Sequence, residues 1–183
     1  MRQVPARASL AARIFLYAIA LASAGCKENE PEVARALDLE RFQGRWYEIA
    51  RIPRDHDRLC HDTVAEYRLS APGKLELYHH CRLGSARGPV SEFRAPATVD
   101  NPAVPAKLSL QIGLYRGDYW VLEVGPDYEY ALIGHPSLTM LWVLSRKPKL
   151  SRETWTHLRE RAQREGFGLD LLQPTPQSEA EAP

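Results

Sequence analysis

The chain has 183 residues, a length that one domain with a sizeable core accounts for. With 44% hydrophobic and 26% charged residues, it is not collagen-like, coiled-coil or wholly disordered. Its 24 basic and 23 acidic residues give a net charge of +1 with no basic run, which argues against nucleic acid as a partner.

Residues 1–25 are of a different kind from the rest. Arg2, Arg7 and Arg13 precede an apolar run from Ile14 to Ala22, and no acidic residue occurs before Glu28. A positive start, a short apolar centre and small residues at the exit read as an export signal. The run is shorter than the roughly 20 residues a bilayer crossing needs. Ser23-Ala24-Gly25-Cys26 resembles the lipobox of bacterial lipoproteins, in which Cys26 becomes the acylated first residue of the mature chain. Ser23 departs from that pattern, where an aliphatic residue is usual. Lys27 after the cysteine, rather than Asp, is similar to the outer-membrane sorting case. The resemblance implies acylation by palmitate or its like at Cys26, attachment to the bacterial outer membrane and a domain facing the periplasm. Cleavage would take the three arginines and leave a mildly acidic mature chain.

Residues 26–36 are polar, contain Pro31 and read as a tether. The domain is expected over residues 37–172. Short β-prone runs alternate there with turn signals: Trp46–Ile52, His61–Leu69, Lys74–Arg82, Val90–Thr98, Lys107–Tyr115, Tyr119–Val124, Glu129–Gly134 and Met140–Ser145. The breakers include Ala71-Pro72-Gly73, Arg116-Gly117-Asp118, Gly125-Pro126-Asp127 and His135-Pro136. Eight short strands with turns between them indicate an all-β, antiparallel up-and-down meander. Closing it into an eight-stranded barrel removes both edges and leaves an interior that is either filled or holds one small ligand. Ser151 as N-cap and Gly166 as stop frame one C-terminal helix, whose Trp155, Leu158 and Ala162 form the stripe that packs outside the barrel. Gln173 to Pro183 reads as a disordered tail.

Gly44-Arg45-Trp46 after a short helical turn, Asp127-Tyr128 after the sixth strand, Trp142 to Arg146 in the eighth, and the single helix behind it occur in a characteristic order. In this order they resemble the lipocalins, and with the lipobox the bacterial outer-membrane lipoprotein branch related to apolipoprotein D. The resemblance makes Gly44, Trp46, Asp127, Tyr128 and Arg146 fold residues. Trp46 plugs the closed barrel end, and Arg146 stacks on its ring, a contact worth about 2 kcal/mol when partly desolvated.

Cys60 and Cys81 are reflected to nearly opposite places by the turn at Pro72-Gly73, within reach of a bridge. Cys60 differs in parity from Ala65 and Tyr67, so one face for both cysteines requires a bulge. Related lipocalins with cysteines at both places support the disulfide; two free thiols are the alternative. His79 and His80 are strand neighbours pointing to opposite faces, so they do not chelate one metal. Asp55, His56, Asp57, His61 and Asp62 cluster near a barrel mouth rather than as a catalytic group. No nucleophile elbow, phosphate loop or zinc spacing occurs.

Alternation and the family resemblance assign to the interior Ala65 and Tyr67, Leu75, Leu77 and His79, Leu108, Leu110 and Ile112, Tyr119 and Val121, and Trp142. His79 is either a polar contact for a ligand or a hydrogen-bonded core residue. Mostly aliphatic walls with a few polar aromatic groups describe a cavity for an amphiphile. The expected function is non-catalytic binding, storage or transport of fatty acids or lysophospholipids, with no cofactor, by a monomer or homodimer. The alternatives are an enzyme on oxidised lipids using Cys81, or a haem or hydrophobic-cofactor carrier using His79.

Overall fold

A computed structural model describes residues 30–54 and 57–178; the segment expected to be an export signal, Cys26, Asp55, His56 and residues 179–183 lie outside the described part. The strands are β1 (Gly44–Arg51), β2 (Cys60–Ala71), β3 (Lys74–Leu83), β4 (Val90–Val99), β5 (Lys107–Ile112), β6 (Tyr115–Val124), β7 (Tyr130–Gly134) and β8 (Leu141–Ser145). Each pairs antiparallel with its sequence neighbour, and β1 also pairs with β8, closing an eight-stranded barrel. A short helix, α1 (Leu39–Phe42), precedes β1, and α2 (Arg152–Arg164) follows β8.

One expected turn is displaced. Arg116-Gly117-Asp118 lies within β6, and the chain reverses at Gly113-Leu114, where Gly113 has φ +59°. Gly117 serves packing instead, since a Cβ there would meet the Tyr115 hydroxyl at 2.6 Å. Two bulges change which residues face inward. In β2 the register with β3 slips between His61 and Val64, with Asp62 at φ +47°, and the slip turns Cys60 to the cavity side as its parity required. In β1 the register with β8 slips between Glu48 and Ala50. As a result Glu48 and Arg51, three apart, both point inward, whereas Ala50 and Ile52 pack beneath α2.

The closed end is a packed aromatic plug. Trp46 is fully buried, donates its ring N–H to the Phe42 carbonyl (2.8 Å) and stands 5.0 Å from the Phe42 ring. The Arg146 guanidinium lies 3.7 Å above the Trp46 ring and donates to the carbonyls of Arg45, Arg41 and Tyr128. Gly44 has φ +92°, and a Cβ there would crowd Arg146 Nη1 at 3.3 Å, so glycine is needed at this entry. The Tyr128 hydroxyl accepts from the backbone N–H of Asp38, tying the strap before α1 to the barrel. On the outside, α2 is capped by Ser151, whose hydroxyl accepts from Thr154 N–H, and buries Leu158 and Ala162 against Trp120, Leu122, Leu132 and Val143.

Both expected end boundaries need correction. Residues 31–36 are not a free tether: Ala34 N–H donates to the Val121 carbonyl, Arg161 donates to the Glu32 carbonyl, and Val33 packs on the core. Gln173 to Ser178 is not a loose tail either. Gln173–Pro174 forms a ninth short strand, β9, beside β1. Beyond it Thr175 and Gln177 are buried, and Gln177 donates to the carbonyls of both Glu48 on β1 and Thr63 on β2. Direct β1–β2 pairing covers only Gly44–Tyr47, so this segment bridges the wider upper seam. Its prolines and polar residues carry no apolar pattern; tertiary hydrogen bonds alone order it. Ending the chain after Leu172 should lower stability by about 2–4 kcal/mol, since each buried group left unpaired costs roughly 1–3 kcal/mol. Urea unfolding measures this, and an unchanged midpoint would show that the seam needs no strap.

Candidate functional site

Strand alternation and the aromatic plug leave a half-open cavity in the upper barrel. The cavity volume is about 60 Å³. Ala65, Leu77, Phe93, Leu110, Ile112, Tyr119, Trp142 and Leu144 form an apolar wall around most of it. Arg54 and Asp57 from the β1–β2 loop, Tyr115 and Asp118 from β6, and Met140 from the β7–β8 loop edge the mouth.

Of the residues expected inside, Ala65, Leu77, His79, Leu110, Ile112, Tyr119 and Trp142 line this cavity. Tyr67, Leu75, Leu108 and Val121 face inward but belong to the packed closed end, below the free space. The Tyr67 hydroxyl is hydrogen-bonded to that of the cavity-lining Tyr119, 2.5 Å away. Burial raises both phenols above their ordinary range, so the floor carries a neutral hydroxyl pair at any physiological pH.

His79 stacks on Phe93, with centroids 4.8 Å apart, while His80 turns to the other face of the sheet beside Tyr78. Desolvation brings the His79 pKa down to about 4, so the ring is neutral at pH 7. The unfolded chain takes up that proton near pH 6.5 and the folded chain only near pH 4, so His79 makes stability fall as pH drops between these values. The limiting slope for one proton is about 1.4 kcal/mol per pH unit. A His79→Gln variant should flatten the melting temperature over this window, and an unaltered profile would reassign the effect.

Sequence alternation passed over one feature of the site. Glu48 and Arg51 are buried as an ion pair on the β1 side of the cavity. The Thr175 hydroxyl joins them, accepting from Arg51 (2.9 Å) and donating to Glu48 (2.7 Å). Arg51 also donates to the carbonyls of Asp57 and Cys60. Burial raises the Glu48 pKa, opposed by the Arg51 charge and the Thr175 hydroxyl. Glu48 was legible as an inward residue, being in phase with Trp46; Arg51 was not, because nothing in the sequence marks the bulge at Ile49. At the mouth Arg54 pairs with Asp57 (3.0 Å), so two ion pairs flank one side of an otherwise apolar chamber.

Cys60 and Cys81 form a disulfide across β2 and β3, with Cα atoms 5.4 Å apart. That leaves no thiolate at Cys81, the group an enzymatic reading relied on. The bridge also ties the mouth end of β2 to β3, and a Cys60→Ser, Cys81→Ser pair should cost about 3 kcal/mol in urea unfolding. Among the described residues no group of three His, Cys, Asp or Glu side chains is placed to hold a metal ion. Of the acidic and histidine cluster near the mouth, Asp57 lines the cavity, whereas Asp62 accepts from Ser178 N–H.

The family model described as a Lipocalin-like domain matches residues 37–177. The chain is a lipocalin. Temperature-induced lipocalin-1 of Arabidopsis thaliana is 38% identical over 160 residues, covering 84% of this chain and 86% of the relative. Outer membrane lipoprotein Blc of Escherichia coli K12 is 30% identical over 138 residues, covering 75% and 77%. Apolipoprotein D of Bos taurus is 32% identical over 142 residues, 71% of each. Among solved structures, insecticyanin from the tobacco hornworm shares the fold with a TM-score of 0.63 at 20% identity, over 82% of this chain and 86% of that one. Plant, bacterial and mammalian relatives thus match comparably, and family membership places this barrel among carriers of hydrophobic ligands.

Proposed function

We propose that this lipocalin binds fatty acids or lysophospholipids and stores or carries them at the bacterial outer membrane, held there by acylated Cys26. The observation that carries the reading is a half-open apolar chamber with charged groups along one side and at its mouth. Such a chamber takes an acyl chain inward at about 0.8 kcal/mol per buried methylene and leaves a head group near the rim. Much of that gain is offset by lost freedom, so micromolar to nanomolar affinity is expected. The lipobox-like Ser23-Ala24-Gly25-Cys26 supports the anchor, and similarity to bacterial outer membrane lipoproteins supports the compartment.

Expression in a bacterial host with labelled palmitate tests the anchor: label should enter the wild type and be absent from Cys26→Ser. Native mass spectrometry of the purified protein tests the cargo. Recovery of a bound amphiphile supports the reading; an empty barrel that takes up no fatty acid at high micromolar concentration sinks it.

A further inference from the structure

The wall shared by β1 and β2 carries more hydrogen-bonding capacity than the fold uses. Arg51 and Thr63 are 5% and 1% exposed, and both line the cavity. Arg51 Nε and Thr63 Oγ1 nevertheless have no hydrogen-bond partner among the described residues. The remainder of the guanidinium is satisfied, by Glu48 and Thr175 at Nη1 and by two backbone carbonyls at Nη2. Native interiors leave few such groups unmet, and two from neighbouring strands beside one cavity mark a place for a ligand atom.

We infer that Arg51 Nε–H and the Thr63 hydroxyl form a subsite for an uncharged oxygen of the bound lipid, a hydroxyl, ester or keto oxygen. The inference rests on the lipid-binding reading above and narrows its ligand class. Charge selects the kind of oxygen. Glu48 already neutralises Arg51, and burial already disfavours the Glu48 anion. A carboxylate brought to Arg51 would place a second anion beside Glu48 in a poorly solvated chamber, whereas a neutral oxygen accepts the free N–H without altering the charge balance. Depth selects its place. Thr63 lies between Cys60 at the mouth and Tyr67 towards the closed end, part-way down the cavity wall. The subsite therefore meets either an oxygen carried part-way along an acyl chain or the uncharged head of a lipid that sinks fully into the barrel.

The test uses the full chain, purified and stripped of lipid, titrated with stearate, with mid-chain hydroxystearate and with stearyl alcohol. At least one of the oxygen-bearing probes should bind about tenfold more tightly than stearate, the worth of a satisfied buried donor. A preference for hydroxystearate assigns the oxygen to the chain; a preference for stearyl alcohol assigns it to the head. Thr63→Val, of similar shape, should reduce that preference to about twofold, with circular dichroism and a melting curve establishing that the variant folds. Equal affinity for all three probes, or full preference retained in Thr63→Val, overturns the subsite while leaving lipid binding intact. Failure of all three to bind overturns both.

Discussion

Replacing Ala65 by phenylalanine should weaken fatty-acid binding by roughly two orders of magnitude while the barrel still folds. Ala65 is 4% exposed on β2, opposite His79 and Trp46 in the ladder, and its small side chain is what keeps that level of the cavity open. A benzyl group there would occupy the space of about four methylenes, removing about 3 kcal/mol of burial from the ligand. Overpacking costs the fold about 1–3 kcal/mol, a loss that leaves the native state populated. Fluorescent fatty-acid displacement reads the affinity, and circular dichroism verifies the fold. An unchanged dissociation constant in a folded Ala65→Phe would mean that the lipid binds elsewhere.

Trp46→Ala should be the most damaging single change to stability, at about 3–5 kcal/mol for loss of a buried tryptophan. The indole holds three things together: the Phe42 ring, the Phe42 carbonyl and the Arg146 guanidinium. Its removal would leave Arg146 spanning a void at the barrel's closed end. Arg146→Lys should cost less, because the charge stays although a single ammonium cannot reach the carbonyls of Arg41, Arg45 and Tyr128 together. Urea unfolding of the two variants gives the order. A Trp46→Ala loss below about 1 kcal/mol would show that the plug is dispensable and that the barrel's hydrogen-bond ladder carries the stability.

The two expectations draw on different kinds of legibility. Trp46 was recognisable as a fold residue because its neighbours stand in a characteristic order along the chain. Ala65 was recognisable as inward because strand side chains alternate, and so were Leu77, His79, Leu110, Ile112, Tyr119 and Trp142. Alternation does not report height within the barrel. Tyr67, Leu75, Leu108 and Val121 have the same parity, yet α1 and Trp46 press against that end and leave no room for a ligand. Phe93 was legible by parity with Ala95 and Ala97, both buried, but lay in a strand to which no interior residues were assigned.

Local patterning determined the eight strands and the outer helix and put Cys60 and Cys81 within reach of each other, because period, turn residues and capping are short-range properties of the chain. The three-dimensional closure decided the rest. A slip of one residue at Ile49 turned Arg51 inward, a second at Asp62 and Thr63 brought Cys60 round to Cys81, and a polar C-terminal segment became structural by bridging β1 and β2. Bulges and straps satisfy backbone groups left over when a twisted sheet closes on itself, and that geometric demand exists only once distant strands have met.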